Sequence, residues 1–369
     1  MKIFIHFSGI VLKFLLINTR IFLQFLFQTR KSASMDFSDI DTIVFTHNLG
    51  GGTLSYEKQN FYKKNILIVR HVSYRSDCFF RIENESGYSV ISSKKLFKLL
   101  TTFSPKVVIV NSLCAYSKPE KILDFICKNF SSSFNRYLVH DHQCVCSRNN
   151  AVLLMNEKYC GLECKNCKLK KESEKWRAMW KKYFSVVDEV VCFSNSSKKI
   201  LLFVYSILNE KIKVIPHSMD YCKFTPLNLQ NVCNIAVVGN CSNIPKGKNI
   251  IKKLVKAIKK AKKRKLYIVG KSPFFFYKNS RFVKYTGKYD LNDLPEILKS
   301  GQIGVIVFTS IWPETFSYAI SELMKLNVYI VSLNLGAQGE KLTNYSKAIF
   351  VENLESKTIL AGVEKCFTL

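Results

Sequence analysis

The sequence predicts an α/β protein made of two domains, each built on a doubly wound parallel sheet. From residue 41 onward, short apolar runs alternate with amphipathic segments of helical length. Such runs are typical of parallel strands that helices cover on both faces. The chain has 369 residues and ten candidate strands, too many for one sheet of this kind. A proline-bearing, weakly periodic segment at 216–231 marks the predicted boundary.

The predicted elements divide the chain into an N-terminal segment, 1–35, a first domain, 36–215, and a second domain, 216–369. The clearest helical patterns and the candidate strands follow one another along both domains. The helices are 93–103, 119–130 and 248–262, and the strands are 42–46, 66–69, 107–110, 137–139, 189–193, 213–215, 235–238, 266–269, 304–308 and 329–331.

The N-terminal segment predicts an amphipathic helix over 3–31, with a wide apolar face and a narrow polar stripe. This pattern suits a helix that lies in a membrane interface. A helix packed on the protein's own body, or translated sequence upstream of a start at Met35, would give the same pattern. Lys13 and Arg20 interrupt the apolar run, which argues against a signal peptide and a membrane-spanning helix. The stripe consists of Lys13, Arg20, Gln24, Gln28 and Lys31.

The charge balance indicates a polyanionic neighbour. Lys and Arg number 56 against 27 Asp and Glu, a formal net charge of +29. Nucleic acid, an anionic membrane and phosphorylated substrates all fit this charge. The 13 cysteines are an odd number in a chain with no convincing export signal. We therefore expect a cytoplasmic protein whose cysteines are mostly thiols.

Two motifs follow strands of the first domain, where ligands of parallel sheets bind. Three consecutive glycines, 50–52, follow the first strand and are suited to opening a helix toward a phosphate. A tight turn is the structural alternative. His140 follows the fourth strand, where it could donate to a phosphate or a sugar hydroxyl or act as acid or base. A buried structural histidine would occupy the same position.

The second domain carries a candidate diphosphate clamp. Gly239 and Asn240 follow a strand, and Lys246 stands just before the next helix. Lys246 opens a lysine-rich run that reaches Lys265 without an acidic residue. Because that helix has a regular apolar face, most of its lysines are predicted to be solvated.

The most specific motif follows the strand at 304–308. Glu314 lies in a loop, and Glu322 lies two turns into the following helix. The backbone N–H groups of Thr315, Phe316 and Ser317 at that helix start would form an anion site. Both glutamates could instead be solvated surface residues.

Taken in order, these motifs resemble the family 4 (group 1) retaining glycosyltransferases of the GT-B fold, over residues 41–345. That fold has two Rossmann-like domains facing a cleft. The resemblance rests on Gly51-Gly52, His140-Asp141, Ile215-Pro216-His217-Ser218-Met219-Asp220, Gly239 with Lys246-Gly247, and the spacing from Glu314 to Glu322.

The resemblance implies a role for each matching residue. Lys246 would neutralise the donor diphosphate, and Glu314 would contact the donor sugar near the reacting carbon. Glu322 would bind the ribose, and His140 would lie beside the donor sugar. No metal would be required. The remaining contacts to the donor would come from Gly51, Gly52, Gly239, Asn240, Thr315, Phe316 and Ser317. Asn240 stands where the family usually has an Arg, so one cationic contact is absent there.

A cysteine-rich insertion at 144–167 is predicted in the first domain, and it is similar to one in bacterial members of this family that build surface polysaccharides. Four thiolates there could hold a structural zinc. Unligated thiols are the alternative. The candidate ligands are Cys146, Cys160, Cys164 and Cys167.

The function predicted from these observations is retaining transfer of a sugar from a nucleotide diphosphate to a lipid-linked or polysaccharide acceptor in bacterial surface glycan (lipopolysaccharide or capsule) synthesis. The enzyme would be a cytoplasmic protein on the inner face of the anionic membrane. One alternative is a GT-B nucleotide-sugar epimerase or hydrolase. Another is a basic, zinc-containing nucleic-acid-binding protein, which leaves the paired glutamates and glycine loops unexplained.

Overall fold

The computed structural model describes residues 35–73, 76–148, 153–162, 164, 167–229, 232–271 and 280–368, together with Thr19. The predicted N-terminal helix over 3–31 thus lies almost wholly outside the described residues. Within the described residues, no helix is long and apolar enough to cross a membrane.

The chain divides into two compact units. The first contains the described residues before 149, with Lys171–Cys192 and Leu201–Ile215. The second contains the described residues of 150–170, with Phe193–Ile200 and the chain from Pro216 onward. The last division between the units falls after Ile215.

The first unit is built on an eight-stranded sheet in the order β10-β9-β6-β5-β1-β2-β3-β4. Neighbouring strands are parallel from β10 to β2, and β3 and β4 add an antiparallel edge. The strands are β1 (Thr42–His47), β2 (Ile66–His71), β3 (Phe79–Asn84), β4 (Gly87–Ser92), β5 (Val107–Val110), β6 (Phe134–Leu138), β9 (Glu189–Cys192) and β10 (Ile212–Val214). The helices that follow or flank them are α1 (Gly52–Asn60), α2 (Ser93–Leu100), α3 (Pro119–Asn129), α4 (Lys170–Val186) and α5 (Asn195–Val204). The first residues of α5, up to Ile200, belong to the second unit.

Aromatic packing fixes α4 on this sheet. Trp180 and Phe184 of α4 are completely buried, and their ring centroids lie 5.2 and 5.5 Å from that of Tyr137 on β6. Large buried rings contribute strongly to core stability. The packing holds β6 and the residues that follow it in place.

The second unit is built on a six-stranded, fully parallel sheet in the order β13-β12-β11-β14-β15-β16. Its strands are β11 (Asn234–Val238), β12 (Leu266–Val269), β13 (Val283–Gly287), β14 (Ile303–Val307), β15 (Tyr329–Ser332) and β16 (Ala348–Phe350). Its helices are α6 (Lys248–Ala261), α7 (Leu294–Ser300), α8 (Tyr318–Lys325), α9 (Gly336–Leu342) and α10 (Ser356–Thr368).

Helices cover both faces of this sheet because successive side chains of a strand point to opposite sides. Ile235 and Val237 of β11 pack in a cluster with residues of α6 and α10. Ala236 and Val238 pack in a second cluster with residues of α7 and α8. The predicted doubly wound arrangement is therefore present in this unit.

The cysteine-rich insertion differs from its predicted placement in the first domain. A short hairpin, β7 (Leu154–Met155) and β8 (Lys158–Tyr159), belongs to the second unit. Leu154 is buried in that unit's core, and Asn249 donates a hydrogen bond to Glu157. These contacts explain why the segment groups with the second sheet although it precedes β9 in the sequence.

Candidate functional site

Each parallel sheet has a switch point, where the strand order reverses and where ligands of such folds bind. In the first sheet it lies between β1 and β5, and in the second between β11 and β14. The predicted site residues lie close to these two places, and each unit is described separately below.

At the switch point of the first unit, buried polar side chains line the carboxyl ends of the strands. Thr46 lies on β1, Asn111 directly follows β5, and His140 lies just beyond β6. Asn111 Nδ2 lies 3.0 Å from Thr46 Oγ1, and His140 Nε2 lies 2.8 Å from Asn111 Oδ1. The predicted residue His140 is thus tied to the sheet through a fully buried amide.

The glycine loop after β1 opens α1, as the sequence predicts. Gly51 is the N-cap of α1 with φ 75°, and the helix begins at Gly52. No atom lies within 4 Å of a Cβ built on Gly51, so its backbone conformation, rather than lack of space, favours glycine. His47 Nδ1 accepts a hydrogen bond from the backbone N–H of Leu49, 3.1 Å away. Burial, with a smaller effect from the nearby Arg70, lowers the pKa of His47 to about 4. His47 is therefore a neutral acceptor that holds the loop.

At the switch point of the second unit, an ion pair joins two predicted site residues. Lys246 Nζ lies 2.6 Å from Glu314 Oε1, with Lys246 half-buried and Glu314 only 7% exposed. Lys246 Nζ also lies 5.9 Å from the ring centroid of Trp312. A charge-assisted hydrogen bond of this kind is strong where water is largely excluded.

Close backbone packing places the two loops that carry this pair. Gly247 has φ 86°, and a Cβ there would come within 2.2 Å of the carbonyl oxygen of Thr309. Thr309 Oγ1 donates to the carbonyl of Lys246 at 2.8 Å, and Ile311 N–H donates to the carbonyl of Pro245 at 2.9 Å. Only glycine allows the two backbones to come this close. The packing therefore explains why a glycine follows Lys246 in the sequence motif.

The loop of Glu314 is held from the other side by α9. Glu314 N–H donates to Gln338 Oε1 at 3.0 Å, and Gln338 Nε2 donates to the carbonyl of Trp312 at 2.8 Å. Gln338 is completely buried. A Cβ on Gly336 would lie 2.5 Å from Pro313 Cα. The sequence analysis did not predict this support.

The segment that follows Glu314 leads directly into α8. Thr315, Phe316 and Ser317 are buried, and Ser317 is the N-cap of α8 with φ 63° and ψ 78°. Within the described part of the chain, the Ser317 hydroxyl has no hydrogen-bond partner. The start of α8 thus combines buried polar groups with the positive end of a helix dipole. Its use as an anion site stays a prediction.

Glu322, the second glutamate of the motif, lies within α8 and binds a tyrosine. Tyr221 Oη donates to Glu322 Oε1 at 2.8 Å. Burial raises the pKa of Glu322, and the hydrogen bond from Tyr221 opposes that shift. Its partner, Tyr221, was not predicted.

Lys341 is a further cation of this region that the sequence analysis did not single out. Its Nζ lies 3.2 Å from the ring centroid of Phe316, contacts Ser321 Oγ and lies 3.5 Å from the carbonyl oxygen of Ser317. Burial lowers the pKa of Lys341 to about 7, although Glu314, Glu340 and Glu322 favour its charged form. In the sequence, Lys341 stands next to Glu340, an acidic neighbour that could have drawn attention to it. Its contact with Phe316 depends on the tertiary fold and could not be predicted.

His217 of the quoted Pro216–Asp220 motif lies in an aromatic stack. Its ring centroid is 3.8 Å from that of Phe193 and 5.0 Å from that of Tyr318, with the planes nearly parallel. It also meets Phe316 edge to face at 4.6 Å. Burial, then the charge of Lys341, lowers the pKa of His217 to about 3, so it is neutral.

The loop after β11 contains two further predicted site residues, Gly239 and Asn240. Gly239 has φ 113°, and its carbonyl oxygen lies so close to Gly270 that a Cβ there would approach it to 2.3 Å. Asn240 Oδ1 accepts hydrogen bonds from the backbone and hydroxyl of Ser242. The Asn240 side chain therefore shapes its own turn.

The four predicted zinc ligands, Cys146, Cys160, Cys164 and Cys167, are all described. Across the described ranges, no group of three or more His, Cys, Asp or Glu side chains is placed to hold a metal ion. The structure does not gather the four cysteines into such a group, and the zinc site stays a prediction.

Comparison with known families gives one match, which lies in the second unit. The family model described as "Glycosyl transferases group 1" matches residues 233–368. These residues carry Gly239, Lys246, Glu314 and Glu322, so the predicted resemblance to the group 1 glycosyltransferases is confirmed for this part of the chain. A comparison with curated proteins gave no match.

Solved structures show the fold over most of the chain. Alr3699/HepE of Anabaena in complex with UDP is 14% identical, with a TM-score of 0.59 over 89% of this chain and 90% of its own. Sucrose-phosphate synthase of Thermosynechococcus elongatus gives the same values. The lipopolysaccharide outer core galactosyltransferase WaaB in its apo form is 11% identical, with a TM-score of 0.52 over 89% and 90% of the two chains. The predicted GT-B fold, with its mixed α/β architecture and parallel sheets, is confirmed.

Proposed function

We propose that this protein is a retaining glycosyltransferase that moves a sugar from a UDP-sugar to a lipid-linked or polysaccharide acceptor of a bacterial surface glycan. The observation that carries the proposal is the Lys246–Glu314 ion pair at the switch point of the group 1 domain, next to the start of α8. A cation, a carboxylate and a helix start in one place suit a diphosphate joined to a sugar.

The chemistry follows from the charge that develops on the leaving diphosphate. Lys246 would exchange part of its contact with Glu314 for a phosphate oxygen, and the Phe316 and Ser317 amides would donate to the same group. Fixed donors of this kind stabilise a transition state more than a ground state. They would take the role that a cation has in other transferases, so the transfer would need no metal ion.

Retention of configuration is the finer part of the proposal. Glu314 would contact the sugar near the reacting carbon, while Glu322 would bind the ribose. With no side chain assigned as a covalent nucleophile, the leaving diphosphate would assist attack of the acceptor on the same face. His140 and the loop of Gly51 and Gly52 would supply further contacts to the sugar and the diphosphate.

The donor nucleotide and the acceptor are suggested by the structural relatives. Alr3699/HepE was solved with UDP, and WaaB is a galactosyltransferase of the lipopolysaccharide outer core. We extend these properties to this chain as a proposal: UDP is the donor nucleotide, and the acceptor is a bacterial surface glycan, lipopolysaccharide or capsule.

The proposal places the enzyme in the cytoplasm, on the inner face of the anionic membrane. Its support in the described residues is α6, which buries Ile251, Leu254, Val255 and Ile258 and leaves its lysines on the outside. An exposed basic face gains about 1 kcal/mol per Lys near an anionic surface. A Lys252→Gln/Lys256→Gln/Lys260→Gln variant should sediment less with phosphatidylglycerol vesicles than a charge-matched Lys94→Gln/Lys98→Gln/Lys121→Gln variant. Equal sedimentation of the two variants would exclude α6 as the contact.

One assay tests the transfer and separates it from its alternatives. Purified protein is incubated with single UDP-sugars, with and without a bacterial lipid and glycan extract, and both UDP release and labelled product are measured. We expect UDP release that requires the extract, with an α-linked product from an α-linked donor. Release without extract would indicate a hydrolase, and isomerised donor an epimerase. Salt-sensitive nucleic-acid retention with no response to any UDP-sugar would favour the nucleic-acid-binding alternative.

A further inference from the structure

The hairpin of the cysteine-rich insertion, β7 and β8, lines a cavity of the second unit that the proposed transfer does not use. The cavity has a volume of about 580 Å³. Sites for small molecules usually have volumes of about 300–1,000 Å³. Lys246 and Glu314 are not among the described residues that line this cavity, so it is distinct from the ion pair of the proposed donor site.

The hairpin contributes four consecutive lining residues, 156–159. Asn156 and Glu157 form its turn with φ 50° and 60°, and positive values at both positions are typical of a two-residue hairpin loop. This conformation costs a residue such as glutamate about 1–2 kcal/mol. The Glu157 carboxylate accepts a hydrogen bond from Asn249 of α6, and Leu154 is buried in the core of the second unit. The hairpin is therefore held against that unit and forms a fixed wall of the cavity.

The apolar part of the lining comes from loops that follow three neighbouring parallel strands and from α6. The loops follow β14, β15 and β16, and their side chains are at least partly buried. Such an interior can pack against the C–H groups of a ligand. The aliphatic lining residues are Ile250, Ile311, Leu333, Leu335 and Leu354.

The polar part of the lining carries both signs of charge in nearly equal number. Asn353 Oδ1 accepts a hydrogen bond from the N–H of Glu355 at 3.0 Å, which fixes the turn before α10. In a chain of net charge +29, a lining with more acidic than basic groups does not favour an anion. Its carboxylates are acceptors suited to hydroxyl groups. The charged lining residues are Glu157, Glu352, Glu355, Lys158 and Lys253.

Tyr159 adds an aromatic ring to the lining, and the residue is half-buried. Tyrosine is favoured where one side of a contact is apolar and the other is wet. A sugar ring has the same two characters, because its faces carry C–H groups and its edges carry hydroxyls. An aliphatic interior, one aromatic ring and nearby carboxylates therefore match a neutral sugar better than a phosphate.

We propose that this cavity is a second ligand site, which binds a neutral sugar unit of a glycan. Tyr159 packs on a face of the sugar ring, and the carboxylates of Glu352 and Glu355 accept hydrogen bonds from its hydroxyls. If the proposed transferase function holds, the sugar unit belongs to the growing acceptor, and the cavity retains that glycan outside the reacting position. The cysteine-rich insertion then has a function, since its hairpin completes a glycan site on the donor-binding domain.

Saturation-transfer-difference NMR tests the site without any transfer reaction. The protein is mixed in turn with the methyl glycosides of glucose, galactose, mannose and N-acetylglucosamine, with and without UDP. We expect saturable binding of at least one sugar, which UDP does not displace and which salt does not weaken, since the ligand is uncharged. Tyr159→Ala should weaken this binding by on the order of tenfold or more, the usual effect of losing an aromatic anchor. Tyr159→Phe keeps the ring, and Tyr88→Ala removes an exposed tyrosine of the first unit, so both should bind as the wild type does.

Three results would overturn the proposal: no binding of any of these sugars, binding that UDP displaces, or unchanged binding in a folded Tyr159→Ala variant. If Tyr159→Ala fails to fold, Glu352→Gln/Glu355→Gln replaces it, with Glu210→Gln/Glu296→Gln, two exposed glutamates, as the charge-matched control. Only the first pair should weaken sugar binding, and equal affinities of the two pairs would contradict the site. Absence of sugar transfer with every UDP-sugar would count against the proposed function alone, because sugar binding is measured without a donor.

Discussion

The ammonium group of Lys341 lies 3.2 Å from the centroid of the Phe316 ring, at the segment where α8 begins. The contact joins α9 to the proposed phosphate-binding segment and places a second cation near Glu314 and Glu322. A cation over an aromatic face is stabilised by the ring quadrupole, but burial removes much of its hydration. The two effects oppose each other, and the resulting charge of Lys341 depends on pH.

We predict that Lys341 gives the protein a pH-dependent stability. Its pKa is lowered by burial to about 7, whereas the unfolded chain keeps the ordinary value near 10.5. Between these values the unfolded chain binds the extra proton, so the stability contributed by this site rises as pH increases from about 7 to 10.5 and is lowest below that window. The carboxylates of Glu314, Glu340 and Glu322 face the amine and moderate the effect.

The measurement for Lys341 is the difference in unfolding free energy between wild type and Lys341→Met across pH 6–10. We expect the difference to change by on the order of a few kcal/mol in favour of wild type as pH rises, at about 1.4 kcal/mol per unit of pKa shift. Lys299→Met, an exposed lysine on α7, is the matched control and should show a flat difference. A flat difference for Lys341→Met as well would show that its amine titrates normally.

The ion pair of Lys246 and Glu314 predicts large losses of sugar transfer on substitution. Lys246→Ala removes the charge that would stabilise the leaving diphosphate, and Glu314→Ala removes the contact to the sugar. Each should lower kcat by on the order of 100-fold or more, the usual effect of losing a transition-state contact. Circular dichroism should show normal folding. The charge-matched substitutions Lys299→Ala and Glu296→Gln on α7 should leave kcat unchanged, and wild-type rates in both site variants would end the assignment.

The fold could be predicted because its central strands are buried on both faces and therefore read as unbroken apolar runs. All ten predicted strands are present, although β6 (Phe134–Leu138) lies a few residues earlier than its candidate at 137–139. The strands that were not predicted lie at or next to a sheet edge, or are short. For example, β3 and β13 alternate buried and more exposed residues, and their polar positions hide the pattern.

The sequence predicts site residues only where they stand in a recognisable local motif. Glu314 and Glu322 stand in one motif, and Lys246 stands at a recognisable turn. The contact of Lys341 with Phe316, like that of Arg70 with Glu57, depends on which strands are neighbours in the sheet. Arg70 did leave a signal, since a charged residue within the apolar run of β2 requires a buried partner.

Glu340 predicts a stabilising role in capping α5. Its carboxylate accepts hydrogen bonds from the backbone N–H groups of Asn195 and Ser196, at 3.0 and 2.7 Å. Burial would raise the pKa of Glu340, but these N–H groups hold it below its usual value. Such a cap contributes about 1 kcal/mol, which Glu340→Ala should lose. Glu340→Gln keeps one acceptor and should lose less.

The cap of α5 also has a definite pH dependence. A carboxylate whose pKa is lowered by folding stabilises the protein above the unfolded value, and this contribution is lost as pH falls through the folded value. Urea unfolding at pH 7 and pH 3 should therefore show a larger difference between wild type and Glu340→Ala at pH 7. Glu352→Ala, an exposed glutamate of the same unit, is the control, and an equal difference at both pH values would contradict the cap.

Gly336→Ala should impair the Glu314 loop through a steric clash. Gly336 has φ 60°, and a Cβ there would meet Pro313 Cα at 2.5 Å and Glu314 N at 2.6 Å. Both contacts are with backbone, so the loop must move, and Glu314 would move with it. Gly287→Ala separates this effect from backbone strain alone, because Gly287 has φ 78° but its nearest neighbour is Tyr285 at 3.8 Å. The left-handed conformation costs an alanine about 1–2 kcal/mol. Gly336→Ala and Gly287→Ala should therefore both lower the free energy of unfolding. Only Gly336→Ala should also lower sugar transfer, measured as kcat at saturating donor. Equal kcat values for the two variants would mean that the position of Glu314 does not depend on this packing.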